Sequence, residues 1–273
     1  MRAQNNHESL VGMTGENLDL GVEYVGNIAI VEIRRPPLNY FDVPLIKSLG
    51  DALEEIDKNC QIRAVVLCAQ GKAFCAGSNL GESRTTPAQA PTGKYRHPLY
   101  EEALRIFGSK KPIVAAVHGA AIGGGLGLAL SADFRITCPE ARFAANFTKL
   151  GYHPGFGLTV TLPDLIGKNA AEFMFYTSRR IDGRKAVDIG LANELVSQSE
   201  VRPAAIRLAQ EIAECSPLGL LSTRETMRLG LLDRLEHATQ REGVLQLRLR
   251  STEDFKEGVK ATAERRVANF VGQ

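Results

Sequence analysis

Two glycine-rich segments carry the first chemical signal in this 273-residue chain. One is Ala73-Phe74-Cys75-Ala76-Gly77-Ser78-Asn79-Leu80, which follows the apolar run Arg63–Cys68. The other is Gly119-Ala120-Ala121-Ile122-Gly123-Gly124-Gly125, which follows Ile113–Val117. Both place small residues just past a buried-strand pattern, where a ligand can reach backbone N–H groups without meeting a side chain. Gly124 and Gly125 also open a helical pattern, whose first N–H groups lack intrahelical acceptors and whose dipole favours negative charge. Two such donors aimed at one point would stabilise an oxyanion, and losing one typically costs about 3–4 kcal/mol of transition-state stabilisation. Either segment alone reads as a tight turn; together they point to a site. The triple glycine does not fit GxGxxG, and no GxxxxGK[ST] follows a strand, so dinucleotide and P-loop readings lose their support.

The elements that must position these segments are legible from periodicity and punctuation. Val22–Val25 and Ile28–Ile33 read as strands around the Gly26-Asn27 hairpin signal, and Pro36-Pro37 ends the second. Asp42 is an expected N-cap for a helix to about Asp57 that puts Leu45, Leu49, Leu53 and Ile56 on one face. Strands are expected at Arg63–Cys68, Pro112–Val117, Phe134–Cys138, Arg142–Ala145 and Glu194–Ser197, and helices at Leu99–Phe107 and from Gly123 to about Ala132. Helical patterns then fill Arg202–Glu214, Pro217–Leu229, Leu231–Leu249 and Glu253–Asn269. Strands alternating with helices predict an α/β layer architecture, and the helix-only end predicts an appended bundle. The expected division is a disordered tail over 1–18, a core over 19–197 and a helical region over 198–273.

Composition narrows the function classes. Hydrophobic residues at 44% and charged residues at 23% describe an ordinary globular chain. Thirty-three Lys and Arg against 31 Asp and Glu leave a net charge of +2, which removes the electrostatic case for nucleic acid or an anionic membrane as partner. The most apolar stretch, Ile113–Leu130, is broken by His118 and five glycines, a poor membrane span. The first twenty residues contain no apolar signal-peptide core. Five widely spaced cysteines without metal-ligand spacing read as reduced thiols, and the expected location is cytoplasmic.

The segments GKAFCAGSNL, KPIVAAVHGAAIGGG and LGYHPGFG, with the closing EGVKATAERRVANF, resemble the signature stretches of the crotonase (enoyl-CoA hydratase/isomerase) superfamily. The resemblance runs from about Asp19 to Phe270. It implies a crotonase-like spiral of ββα units with a C-terminal helical trimerisation region, assembled as a homotrimer or a dimer of trimers. It also implies an acyl-CoA thioester as substrate, with no further cofactor and no metal. Carried over by position, the oxyanion donors would be the N–H groups of Ser78 and Gly124. Leu38, Ala76, Asn79 and Leu80 would line the coenzyme A moiety, and Arg265 would approach its phosphates. Tyr100, Phe147 and Phe156 would border the acyl group.

The sequence departs from this pattern where hydration chemistry would sit. The two glutamates that serve family hydratases as acid and base correspond to Gly127 and Phe147, and a further family aspartate corresponds to Gly155. Neither glycine nor phenylalanine transfers a proton, and a positioned acid or base is worth about 10²–10⁴-fold. His153 is a candidate replacement, because an unperturbed imidazole titrates near neutrality; it could equally be a structural histidine in a glycine-rich loop. Tyr95, His97, Tyr100, Glu101 and Glu102 are further proton-donor candidates on or beside one helix, whereas His118 and Asp133 read as structural. The expected function is therefore a crotonase-family reaction through a thioester enolate. Decarboxylation, thioester hydrolysis or C–C cleavage, and a non-catalytic acyl-CoA-binding scaffold, stand as alternatives.

Overall fold

A computed structural model describes residues 18–79 and 97–273. Apart from Leu18, the expected N-terminal tail falls outside the described residues, as do Leu80 and Tyr95. The chain begins with the antiparallel hairpin β1 (Leu20–Val25) and β2 (Ile28–Ile33), turning at Gly26-Asn27. Helix α1 (Val43–Lys58) starts where Asp42 accepts a hydrogen bond from the Leu45 N–H, and its apolar stripe Leu45, Leu49, Leu53 and Ile56 is buried. Next come β3 (Ala64–Ala69), β4 (Ala73–Cys75), α2 (Pro98–Phe107), β5 (Ile113–Val117), β6 (Ala120–Ile122) and α3 (Gly124–Ser131). They are followed by β7 (Phe134–Thr137), β8 (Arg142–Ala144), α4 (Leu158–Ile166), α5 (Lys168–Thr177), β9 (Ile181–Asp182), α6 (Gly183–Asp188) and β10 (Glu194–Leu195). Helices α7 (Val201–Glu214), α8 (Pro217–Met227), α9 (Leu231–Arg250) and α10 (Glu253–Ala263) complete the fold.

A six-stranded sheet has the order β1-β2-β3-β5-β7-β10 and is parallel from β2 onward. Its central strands β3 and β5 are apolar along their whole length, as parallel strands covered on both faces must be. A second, four-stranded sheet has the order β4-β6-β8-β9. Each glycine-rich segment thus contributes a short strand, β4 or β6, where the sequence indicated only turns. These strands pair in parallel, Ala73 with Ala120 and Cys75 with Ala121. Strands of three residues lie below the length at which periodicity can be read; the sheet ladder, not local propensity, makes them.

Two expectations change at the C-terminal side. Helix α7 lays Val201, Ala204, Ala205, Ala209 and Ala213 into the same apolar core as the sheet, so that core continues past the division expected at residue 197. The last helix ends at Ala263 rather than Asn269, because Arg265 turns the chain with φ +56°. The final residues fold back instead, with Asp254 accepting from the N–H groups of Val271 and Gly272.

Candidate active site

The pairing of β4 with β6 delivers both glycine-rich segments to one wall. Past β4, Gly77 takes φ +87°, and a β-carbon there would lie 2.9 Å from the Ile122 carbonyl and 3.4 Å from the Gly124 nitrogen. The contact is possible only without a side chain. Phe41 N–H donates to the Gly77 carbonyl at 2.9 Å, in a parallel bridge between Phe41 and Ser78. That bond leaves the Ser78 N–H outside the bridge. At the start of α3, Gly123 adopts φ +57° and donates to Ala144 O at 2.8 Å, while its own carbonyl accepts from Leu126 and Gly127. The Gly124 N–H is the first of the helix. Among the described residues, neither it nor the Ser78 N–H has a hydrogen-bond acceptor.

Ser78 and Gly124 open onto a single cavity of about 770 Å³. Leu38, Ala76 and Asn79 line it, as do Tyr100, Phe147 and Phe156, so all of the expected contact residues that are described lie there except Arg265. Arg265 is exposed, just beyond the lining residues Thr262 and Ala263 of α10. His153 also lies off the described wall. Its Nδ1 is 2.7 Å from the Pro154 carbonyl, and burial followed by the nearby Arg241 charge keeps its imidazole below the usual range.

Packing accounts for what stands at the positions where the resemblance places carboxylates. Gly127 lies inside α3, and a β-carbon there would come within 2.7 Å of Phe156 Cβ and 2.9 Å of its Cδ1. Phe156, 1% exposed, occupies that space and stacks on Phe41 and Phe107 at centroid distances of 5.4 and 6.2 Å. It does so with φ +62°, a conformation that costs a bulky L-residue roughly 1–3 kcal/mol and persists only where the surroundings over-determine it. Phe147 fills the other expected glutamate position as an apolar lining residue, 7% exposed. At Gly155 a β-carbon would fall 2.0 Å from the Tyr100 hydroxyl and 2.4 Å from Gln246 Nε2, so those two side chains occupy the third position.

Titratable groups on the described lining include Tyr100, Tyr152 and His97. Tyr100 donates to Gln246 Oε1 at 2.5 Å, and burial drives its phenol well above the ordinary value. His97 caps α2, its Nδ1 accepting from Leu99 N–H, and burial aided by the Arg250 charge lowers its imidazole to about 4. Asp42 also lines the cavity and is ion-paired with Arg35 at 2.9 Å. Glu101 and Glu102 are absent from the described wall, and Glu102 instead pairs with Arg105 at 2.6 Å. His118 and Asp133 are structural: the former bonds Gly71 O at 3.0 Å, and the latter holds Ile113 N–H and the guanidinium groups of Arg224 and Arg228.

Sequence reading missed the contribution of α9. Gln246 lines the cavity, and Glu242, 1% exposed, accepts from the N–H groups of Gly157 and Thr159 and from the Thr159 hydroxyl. The available signal was the spacing of Leu235, Thr239, Glu242 and Gln246, which share one helical face. Three of the four are polar, so the stripe resembles a solvated face until their partners are known.

This fold and cavity define a crotonase-type acyl-CoA enzyme. The chain belongs to the enoyl-CoA hydratase/isomerase family, whose sequence profile matches residues 23–273. A putative enoyl-CoA hydratase of Thermus thermophilus is 32% identical over 248 residues, covering 90% of this chain and 98% of the relative. A carnitinyl-CoA dehydratase of Salmonella typhi is 32% identical over 253 residues, covering 91% and 96%. Among solved structures, an enoyl-CoA hydratase/isomerase from Pseudoalteromonas atlantica superposes with a TM-score of 0.83 at 28% identity, covering 93% of this chain and all of that one.

Proposed function

We propose that the protein binds a coenzyme A thioester with its carbonyl oxygen between the N–H groups of Ser78 and Gly124, which stabilise the anion formed there. The reading rests on one observation: Ser78 and Gly124, whose backbone N–H groups have no acceptor among the described residues, lie on loops held together by β4 and β6 and line the same cavity. Negative charge gained by the oxygen would be met by fixed dipoles that need no reorganisation. Leu38, Ala76 and Asn79 would contact the coenzyme A portion, with Leu80 and Arg265 as further contacts on the family resemblance. The acyl group would lie against Phe147, Phe156 and Tyr100.

Two-glutamate hydration is disfavoured, because Gly127 and Phe147 supply no acid or base. Proton transfer within the cavity would draw on its described titratable lining, Tyr100 and His97 among it, whereas His153 is not part of that lining. A second reading is decarboxylation, thioester hydrolysis or C–C cleavage through the same oxyanion. It is favoured by Gly127 and Phe147, which put no carboxylate at the two positions where the resemblance places the hydratase glutamates. The exposed side chains of Leu218, Met227 and Leu229 on and after α8 support self-association, read as a homotrimer or a dimer of trimers. Cytoplasmic location remains part of the proposal; among the described residues no helix is long and apolar enough to cross a membrane.

A panel of acyl-CoA esters followed by mass spectrometry reads water addition, CO₂ loss and CoA release together. Ser78→Pro removes one donor without removing the bond between Phe41 N–H and Gly77 O. Turnover of the responsive ester should fall about 10²–10³-fold in that variant. A folded Ser78→Pro protein with full turnover would overturn the oxyanion assignment. Binding without turnover of any ester would favour the scaffold.

A further inference from the structure

We infer that Phe156 sets which acyl groups this cavity accepts, and that Glu242, Gln246 and Tyr100 are the positioning residues that hold it there. The inference deepens the acyl-CoA reading and rests on it. The turn Gly155-Phe156-Gly157 is gripped from two sides. From α9, Glu242 accepts from Gly157 N–H at 2.9 Å, from Thr159 N–H at 3.2 Å and from the Thr159 hydroxyl at 2.5 Å. One helical turn further on, Gln246 donates to the His153 carbonyl at 2.8 Å. From α2, the Tyr100 hydroxyl bonds Gln246 Oε1 at 2.5 Å, and the Phe156 backbone N–H turns toward the same phenol oxygen. All three side chains are buried, at 1%, 4% and 6% exposure for Glu242, Gln246 and Tyr100.

Buried polar groups with this many satisfied bonds act as a rigid frame. This frame surrounds a bulky residue at φ +62°, a conformation that local sequence does not favour. The frame thus keeps the Phe156 ring in the volume beside Gly127, where it forms cavity wall and shields α3. Moving the ring would open space on the side where Phe41 packs against Gly124, whose β-carbon position is 2.4 Å from Phe41 Cζ. The volume available to an acyl group next to the two N–H donors is therefore decided by helices α2 and α9, far away in sequence.

The test is competitive binding of acetyl-CoA and phenylacetyl-CoA by calorimetry, with free coenzyme A as reference, on wild type, Phe156→Ala, Tyr100→Phe and Gln246→Leu. The ratio of the two ester affinities should move at least tenfold toward phenylacetyl-CoA in Phe156→Ala. It should move in the same direction, by several-fold, in Tyr100→Phe and Gln246→Leu. Thermal unfolding of each variant identifies loss of fold, and Tyr100→Phe, the most conservative change, keeps the ring in place. Ratios within twofold of wild type in folded variants would overturn the inference while leaving the acyl-CoA reading intact. Failure of every ester and of coenzyme A to bind wild type would instead remove the reading on which it rests.

Discussion

Replacing Gly127 by alanine should destabilise this protein, reversing the sign expected for a Gly→Ala change within a helix. The added carbon would lie 2.7 Å from Phe156 Cβ, 2.9 Å from Cδ1 and 3.0 Å from Cγ. Carbon atoms rest at about 3.5–4.0 Å, so relief requires a shift approaching 1 Å. Phe156 cannot yield cheaply, because its backbone turn is bonded to Glu242 and its ring is packed between Phe41 and Phe107. Overpacking of this kind costs about 1–3 kcal/mol. Alanine returns about 1 kcal/mol through helix propensity, so net destabilisation should reach up to about 2 kcal/mol. Phe156→Gly deletes every atom in the clash and relieves the positive-φ strain. In that background Gly127→Ala should stabilise by up to about 1 kcal/mol, giving a coupling of about 1–3 kcal/mol. Urea unfolding of the four proteins completes the cycle. The same sign for Gly127→Ala in both backgrounds would refute the claim that Phe156 holds the space needed by an acidic side chain at 127.

Acid sensitivity should trace in part to His97. Its imidazole falls from 6.5 to about 4 on folding, so between those values the unfolded chain binds a proton that the folded chain does not. Stability should therefore decline as pH drops below about 6.5, by about 3 kcal/mol at most, and Glu242, raised by burial, contributes with the opposite sign. His97→Asn retains an N-capping side chain and should flatten this decline in urea midpoints; parallel curves for the two proteins would contradict the assignment. Thiol labelling offers a separate check of the core. Cys60 and Cys215 are exposed and should react with a disulfide reagent in the native protein, whereas Cys68 and Cys75 are buried, with thiols pushed up to about 12 chiefly by burial, and should react only on unfolding. Labelling of Cys75 in seconds under native conditions would show that β4 is not packed as described.

How far the sequence reaches depends on the range of the interaction involved. The hairpin at Gly26-Asn27, the Asp42 cap and the apolar strands β3 and β5 follow from neighbouring residues, and their limits fall within a residue or two of expectation. The two glycine-rich segments were legible for the same reason: small residues past a buried strand, one of them opening a helix, form a local pattern. So was the lack of proton-transferring side chains at 127, 147 and 155, which requires only residue identity.

What fills those positions could not be read along the chain. The strands β4 and β6 exist because each supplies the other's ladder, across more than forty intervening residues. Phe156 takes a left-handed backbone against its own preference because bonds from α2 and α9 outweigh local strain. Glu242 and Gln246 look like surface polar residues until the fold buries them against hydrogen-bond partners some ninety residues earlier. His153 had the right chemistry in the right segment, yet tertiary packing turned it to the Pro154 carbonyl and off the described cavity wall. Residue type fixes which donors and acids a chain possesses. Only the packed structure decides which of them are satisfied internally, as the Gly123 N–H is by the Ala144 carbonyl, and which, like the Ser78 and Gly124 N–H groups, have no acceptor among the described residues.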